Sequence, residues 1–364
     1  MKVLKTPAEG SPPLAPGAGY FQIKIHGAQA ASFGSFWEKA KGLVVTSEVT
    51  LRAPTFHGEP TPTRSIHHVR TLKHGTPEQL GLSTLLVGLT PATVERVTIA
   101  IDYLLDQANR LAPLAGLINA EAFVTAFSLA PPAAAAATAI SKIAEKVIKN
   151  LLSENDRVPL LKFLGDFSLA TGDLAESYYV ILGSRFDRHP LPRPLDERRL
   201  SVRGRELFFD DEPVTKWSYV ILDIDVVPAR TRALGGGQPW NDKLEQAEVE
   251  ANSLMRGLLP KDRERKQAWS VIAPLLKEAD ILFRRDPLYL PTEAAAIMQE
   301  TFVALRAKVF PDRPGALGAP PGLTTDEREL LGVSGEAALR SAVETYEAAR
   351  SQSERKLRSL GLQE

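Results

Sequence analysis

Residues 217–227 read WSYVILDIDVV and form the clearest β-strand candidate in the sequence. Side chains alternate between the two faces of a strand, so one face consists of Val220, Leu222, Ile224 and Val226. Asp223 and Asp225 lie on the opposite face. The pattern therefore predicts a half-buried strand whose two carboxylates point to solvent.

Shorter segments with the same alternation precede this strand. They are 20–25, 43–51, 93–101, 161–169, 177–182 and a hairpin over 200–209 that turns at Arg203-Gly204-Arg205. Most connections are short and turn-like, which favours antiparallel pairing over a parallel sheet with crossover helices. The sequence predicts an antiparallel β-sandwich over 20–232, which resembles C2-type sandwiches in the number and spacing of its strands.

A long apolar stretch, residues 111–140, interrupts the strands and contains one charged residue, Glu121. Proline lacks an N–H group and clashes with the preceding helical turn, so the Pro131-Pro132 pair ends a helix. We therefore predict two helices here. Together they form a helical insertion in the sandwich at about 104–156.

Three uses of this insertion are open. It packs as a buried hairpin on one sheet, because apolar helices of this length usually belong to a core. Alternatively it forms an interface between proteins, or it binds or enters a membrane with the help of the lysines that follow it. The contacting residues for an interface or a membrane are Leu114, Leu117, Ile118, Phe123, Phe127, Ile140, Ile143, Val147 and Leu151.

The pattern becomes helical after the glycine run 235–237, which we interpret as a hinge. Residues 240–309 read as helices with breaks at four prolines, Pro260, Pro274, Pro287 and Pro291. A capping-box signal, Thr324 with Glu327, precedes a last helix at about 335–360.

The predicted class is α+β, with four segments. They are a flexible tail (1–19), the sandwich with its helical insertion (20–232), a helical unit (233–310), and a linker with the C-terminal helix (311–364).

The composition of the chain excludes several classes of function. Lys+Arg and Asp+Glu both number 44, so the chain lacks the basic excess of nucleic-acid binders. A net charge of zero also gives little protection against self-association, which favours a protein that works in an assembly. There are no cysteines, so disulfides and thiolate chemistry are excluded. Without an apolar leader, the chain is expected in the cytoplasm, and its richness in Ala, Arg and Pro indicates a bacterial source.

The segment around Asp223 and Asp225 resembles the nucleophile motif of haloacid-dehalogenase-type phosphatases. That resemblance implies that the first carboxylate attacks phosphorus, the second handles the proton and Mg²⁺ neutralises the phosphate. The fold of those enzymes also needs alternating strands and helices after the motif, whereas residues 240–309 show a helical pattern only. A magnesium-dependent phosphohydrolase is therefore an alternative, and surface carboxylates are the simpler interpretation.

Other metal ligands are scattered. Five of the six histidines fall early in the chain, at His26, His57, His67, His68 and His74. Neutral imidazole binds zinc, yet no H-E-x-x-H or H-x-H spacing occurs. The loop aspartates that a C2-like sandwich could use for calcium are Asp187, Asp210 and Asp211, without the closely spaced run such a site needs. We expect no metal and no cofactor. Ser–His–Asp arrangements stay open, because their members converge from distant positions.

The sequence thus predicts a non-enzymatic structural or protein-interaction component of a bacterial cytoplasmic assembly, with a protein partner or a second copy of itself. The alternative is a membrane-active effector, pore-forming or membrane-binding, that uses residues 111–152. The second alternative is the phosphohydrolase with Asp223 and Asp225.

Overall fold

The computed structural model describes residues 2–3, 13–31, 42–52, 62–70, 77–106, 157–183, 199–255, 261–311 and 322–361. Over these ranges the protein belongs to the α+β class, with antiparallel sheets followed by a helical unit. Contacts divide the chain into two compact units, Met1–Val226 and Val227–Glu364. The sequence predicts this boundary between residues 232 and 233.

The described part of the first unit forms thirteen strands. Strands β1 to β13 are Lys2–Val3, Tyr20–Ala30, Gly42–Arg52, Thr63–Arg70, Glu78–Gln79, Thr84–Pro91, Arg96–Asp106, Arg157–Ser168, Ser177–Gly183, Leu200–Arg203, Glu206–Phe209, Glu212–Pro213 and Ser218–Val227. The first sheet has the order β1-β9-β13-β2-β5, and β6 also pairs with β2. The second sheet has the order β4-β3-β7-β8, and the third is β10-β11-β12.

The first two sheets share one hydrophobic core. Phe21 and Ile23 of β2, Ile99 of β7 and Leu222 of β13 are fully buried members of the same apolar cluster. Alternate residues of a strand lie on one face, so a cluster drawn from both sheets means that they pack face to face. The predicted antiparallel sandwich is confirmed.

The hairpin over 200–209 is also confirmed. Arg203 pairs with Glu206, and Gly204 between the strands has a φ of +59°, a conformation that favours glycine. Strands β4 and β6 were not predicted. In β4 the pairing with β3 shifts by one residue beside Val45, which leaves His67 as the extra residue of a bulge. A bulge interrupts the two-residue period and so hides the strand from a pattern search.

The prediction of a flexible tail over 1–19 is wrong for the residues that the structure describes. Strand β1 pairs with β9, and Leu14 is buried with its N–H donated to the Leu174 carbonyl at 2.9 Å. Gly17 donates to the Ala92 carbonyl at 2.9 Å. Backbone hydrogen bonds and the buried Leu14 hold these described residues, although the composition of the segment alone indicates disorder.

Most of the predicted helical insertion lies outside the described residues. Its first positions, 104–106, belong to β7, and residues 107–156 are not described, so the helices there stay a prediction. The strands on either side are neighbours. Strand β7 pairs with β8, and Asp106 and Arg157 are register partners at the point where the two strands end and begin.

The second unit contains five described α-helices. Helices α1 to α5 are Pro239–Met255, Asp262–Phe283, Pro291–Val309, Thr325–Leu331 and Glu336–Ser359. They enclose their own apolar cluster, in which Trp240 stacks on Phe283 with ring centroids 3.7 Å apart. The predicted capping box is confirmed, because Thr324 Oγ1 accepts from the Glu327 N–H at 3.2 Å and Glu327 Oε2 accepts from the Thr324 N–H at 2.8 Å.

Two predictions for the second unit are wrong. Pro274 lies inside α2 and is exposed, and the helix continues through it because Ile272 and Leu276 are fully buried on its other face. The run 235–237 is not a free hinge. Gly235 is buried in a 3₁₀ turn, and a Cβ atom there would come within 2.4 Å of Trp240 Cζ2. Glycine is needed at that position for close packing.

Candidate functional site

Asp223 and Asp225 are buried, with exposed fractions of 4% and 3%, so the prediction that they face solvent is wrong. Their face of β13 is covered. Tyr219 and Ile221 on that face form an apolar cluster with Leu207 of the third sheet. The small sheet thus packs on the outside of the first sheet, and a strand of the first sheet is covered on both faces.

Lys24 is the ion-pair partner of both aspartates. Its Nζ atom lies 3.1 Å from Asp223 Oδ2 and 3.3 Å from Asp225 Oδ2. Gln22 Nε2 donates to Asp225 Oδ2 at 3.1 Å. Strand β2 lies beside β13, and its alternation places these polar side chains on the same outer face as the carboxylates.

The two carboxylates stabilise the charged form of the Lys24 ammonium group. Burial alone would lower the pKa of Lys24, but the negative charges of Asp225 and Asp223 outweigh it and raise the pKa above its ordinary value. The lysine therefore stays protonated at neutral pH, and its charge compensates carboxylates that would be costly to bury alone.

His26 joins this cluster to the hairpin turn. Its Nε2 atom lies 2.6 Å from the Gly204 carbonyl oxygen and must carry the proton, because a carbonyl only accepts. Its Nδ1 atom lies 3.6 Å from Asp223 Oδ2. Beside it, a Cβ atom on Gly27 would come within 2.2 Å of the Arg205 carbonyl oxygen, so the two backbones approach too closely for any other residue.

This arrangement suits structural ion pairing better than phosphoryl transfer. The nucleophile of a phosphohydrolase needs an open approach, and its partner carboxylate needs access to Mg²⁺. Here the ammonium of Lys24 contacts one oxygen of each carboxylate, and both aspartates are buried. Among the described residues, no group of three or more His, Asp or Glu side chains is arranged to hold a metal ion.

The histidines fall in different places. His67 Nε2 lies 2.6 Å from Ser47 Oγ across β3 and β4, and burial lowers the pKa of His67 to about 4. Ser47 is buried and His67 is half-buried, so the pair is a hydrogen bond between two strands of the second sheet. His57 and His74 lie outside the described residues, as does the side chain of His68.

The loop aspartates do not converge. Asp210 pairs with Arg199 and Asp211 pairs with Arg203 in the turn after β11. Both aspartates have positive φ values, 49° and 67°. Each carboxylate contacts an arginine of its own, and Asp187 lies outside the described residues.

The predicted interface residues, Leu114, Leu117, Ile118, Phe123, Phe127, Ile140, Ile143, Val147 and Leu151, all lie outside the described residues. In the described part of the chain, none of the helices combines the length and the apolar character that crossing a membrane requires.

A cleft of about 580 Å³ opens at one end of the sandwich. Two arginines at its wall, Arg52 of β3 and Arg96 of β7, are register partners. Thr93, Glu95 and Ser168 also line it. Sequence reasoning missed both this pair and the Lys24 cluster. The alternation of polar residues along β2 is a signal for the cluster, whereas only the strand register brings the arginines together.

No protein family model matches the chain, and no curated protein matches it.

Proposed function

We propose that this protein is a non-enzymatic interaction component that associates with a second copy or with a protein partner through the apolar residues of 111–151. The observation that carries the proposal is the register of β7 and β8. Asp106 and Arg157 are partners, so a short turn would be enough to connect the strands. The sheet does not need the long apolar segment between them, which is therefore free to serve another purpose.

The charge and composition of the chain support this role. Residues 111–140 contain a single charged residue and are costly to expose to water, so they have to be covered by the fold or by a partner. The net charge is zero, and repulsion between copies does not oppose association. The absence of cysteine is consistent with a reducing, cytoplasmic setting.

Replacing residues 107–156 by a short Gly/Ser turn tests the proposal. We expect the variant to keep its sheets and the helices of the second unit by circular dichroism, with helix content reduced only by the predicted helices that are removed. We expect it to lose self-association in light scattering at micromolar concentration, or to lose its partner in co-purification. A variant that no longer folds would show that the segment belongs to the core. Association that is unchanged would show that the interface lies elsewhere.

A matched pair of point variants separates the surface from a general effect of added charge. Phe123→Asp places a carboxylate in the apolar segment. Leu164→Asp places one on β8, where the leucine side chain is already 72% exposed. We expect Phe123→Asp to weaken association and Leu164→Asp to leave it unchanged. Equal effects of the two variants would contradict the proposed surface.

A membrane would be the partner of the same residues under the alternative function. Flotation with liposomes distinguishes the two, because a membrane-active protein binds vesicles and loses that binding when 107–156 is replaced. Binding to vesicles without self-association would favour the membrane-binding alternative, and self-association without vesicle binding would favour the proposal.

A further inference from the structure

The ends of three strands and one turn form the cleft beside Arg52 and Arg96. Glu95, in the turn before β7, donates its backbone N–H to the Arg52 carbonyl at 2.9 Å, and Leu169 after β8 donates to the Glu95 carbonyl at 3.4 Å. Gly17 and Ala92 close the side of the cleft through their own backbone hydrogen bond. The wall is thus fixed by backbone contacts, and the volume falls within the range of small-molecule sites.

Two residues of like charge are neighbours in this wall. Arg52 and Arg96 are directly opposite in β3 and β7, an arrangement that is unfavourable for a sheet without a counter-charge. Arg96 pairs with Asp166 at 3.9 Å, and that carboxylate also accepts from Thr98 Oγ1 at 2.6 Å. Among the described residues Arg52 forms no ion pair.

We propose that this cleft binds a small organic ligand through an oxyanion group, either phosphate or carboxylate. Guanidinium groups present forks of N–H donors that match both groups, and an anion between them would relieve their repulsion. Thr93 and Ser168 line the same cleft, and a hydroxyl group can act as a further donor. Exposed Pro16 and Ala170 supply an apolar side for the remainder of the ligand.

Glu95 is the acidic residue in the described lining. Its charge opposes an oxyanion, so it lowers affinity for a simple anion and suits a ligand that also carries a hydroxyl or amine. The two arginines outnumber it, and the side chain of Arg96 is about half exposed, which leaves its donors accessible.

Titration of the full-length protein with pyrophosphate and, separately, with citrate tests the site by calorimetry and by the shift in thermal midpoint at low salt. We expect saturable binding of at least one probe. The response to pyrophosphate against citrate distinguishes a phosphate ligand from a carboxylate ligand. No heat and no shift in midpoint with either probe would overturn the proposal.

Variants locate the binding. Arg52→Gln and Arg96→Gln should each weaken binding at least tenfold, and Arg52→Lys, which keeps the charge and loses the fork, should weaken it less. Arg64→Gln is the matched control, because Arg64 also lies in the second sheet and is paired with Glu48 at 2.7 Å. Glu95→Gln should tighten binding. A loss with Arg64→Gln equal to that with Arg52→Gln would also overturn the proposal.

Discussion

Lys24 is the residue on which the buried polar cluster depends. It is 26% exposed, whereas the two carboxylates that it pairs with are almost inaccessible. Removing one partner of a buried pair leaves an uncompensated charge, which costs more than the pair itself contributes. A single substitution in this cluster should therefore change the stability of the fold strongly and leave the interaction surfaces of the protein unchanged.

Lys24→Met should destabilise the protein by about 3 kcal/mol, because Asp223 and Asp225 lose their counter-charge. The measurement is the thermal midpoint at pH 7. Arg203→Met is the control, since its pair with Asp211 is exposed, and we expect a loss below about 1 kcal/mol. A small effect at Lys24 would mean that water reaches the carboxylates.

His67 should make stability depend on pH. Its pKa is about 4 in the folded protein and about 6.5 in the unfolded chain, so the unfolded chain binds the proton first as pH falls. The folded state should lose up to about 3 kcal/mol between pH 6.5 and pH 4 and lose no more from this group below pH 4. Above pH 6.5 the full stability is present.

The comparison that checks this expectation is the difference in thermal midpoint between the wild type and His67→Gln across pH 4 to 8. The wild type should lose stability relative to the variant as pH falls below 6.5, and the difference should be constant above pH 7. Parallel curves over the whole range would show that the imidazole is accessible to water in the folded protein.

At the scale of elements, the hairpin of β10 and β11 packs so closely on β2 that the two backbones nearly touch. Gly27→Ala places a Cβ atom against the Arg205 carbonyl, so β2 and the hairpin have to separate. We expect a loss of about 2 kcal/mol, as for other overpacked sites. Gly236→Ala is the matched control, because its φ of −54° suits alanine and no atom lies within 4 Å of the added Cβ.

The alternation in 217–227 and in five other segments was enough to predict six strands of the sandwich, β2, β3, β7, β8, β9 and β13. The period of two residues is a local property, so it can be read without knowing what covers a strand. The burial of Asp223 could not be predicted, because the two-residue period does not show that β10 to β12 cover this face of β13. It also does not show that Lys24, which is distant in sequence, reaches the carboxylate. Pro274 shows the same limit of local sequence patterns in a helix. Proline predicts a break there, but the packing of the buried face keeps the helix continuous.

At the scale of the whole molecule, each unit has its own apolar cluster. The clusters of the sandwich draw on residues before 227, and the helical cluster draws on residues after it. A unit that encloses its own core meets the main requirement for folding alone.

We therefore expect residues 227–364, expressed alone, to be helical by circular dichroism and to unfold in one cooperative transition on heating. The midpoint should be within a few degrees of the corresponding transition in the full chain. A non-cooperative or unfolded fragment would show that the helical unit depends on the sandwich for its structure.

Because Asp106 and Arg157 are register partners, the connection between β7 and β8 is also a suitable position for inserting another protein. The entropy cost of closing a loop rises only slowly with its length, so the sheet should tolerate guests of very different size between these two residues. A fluorescent protein whose own termini are close together could be spliced there as a reporter.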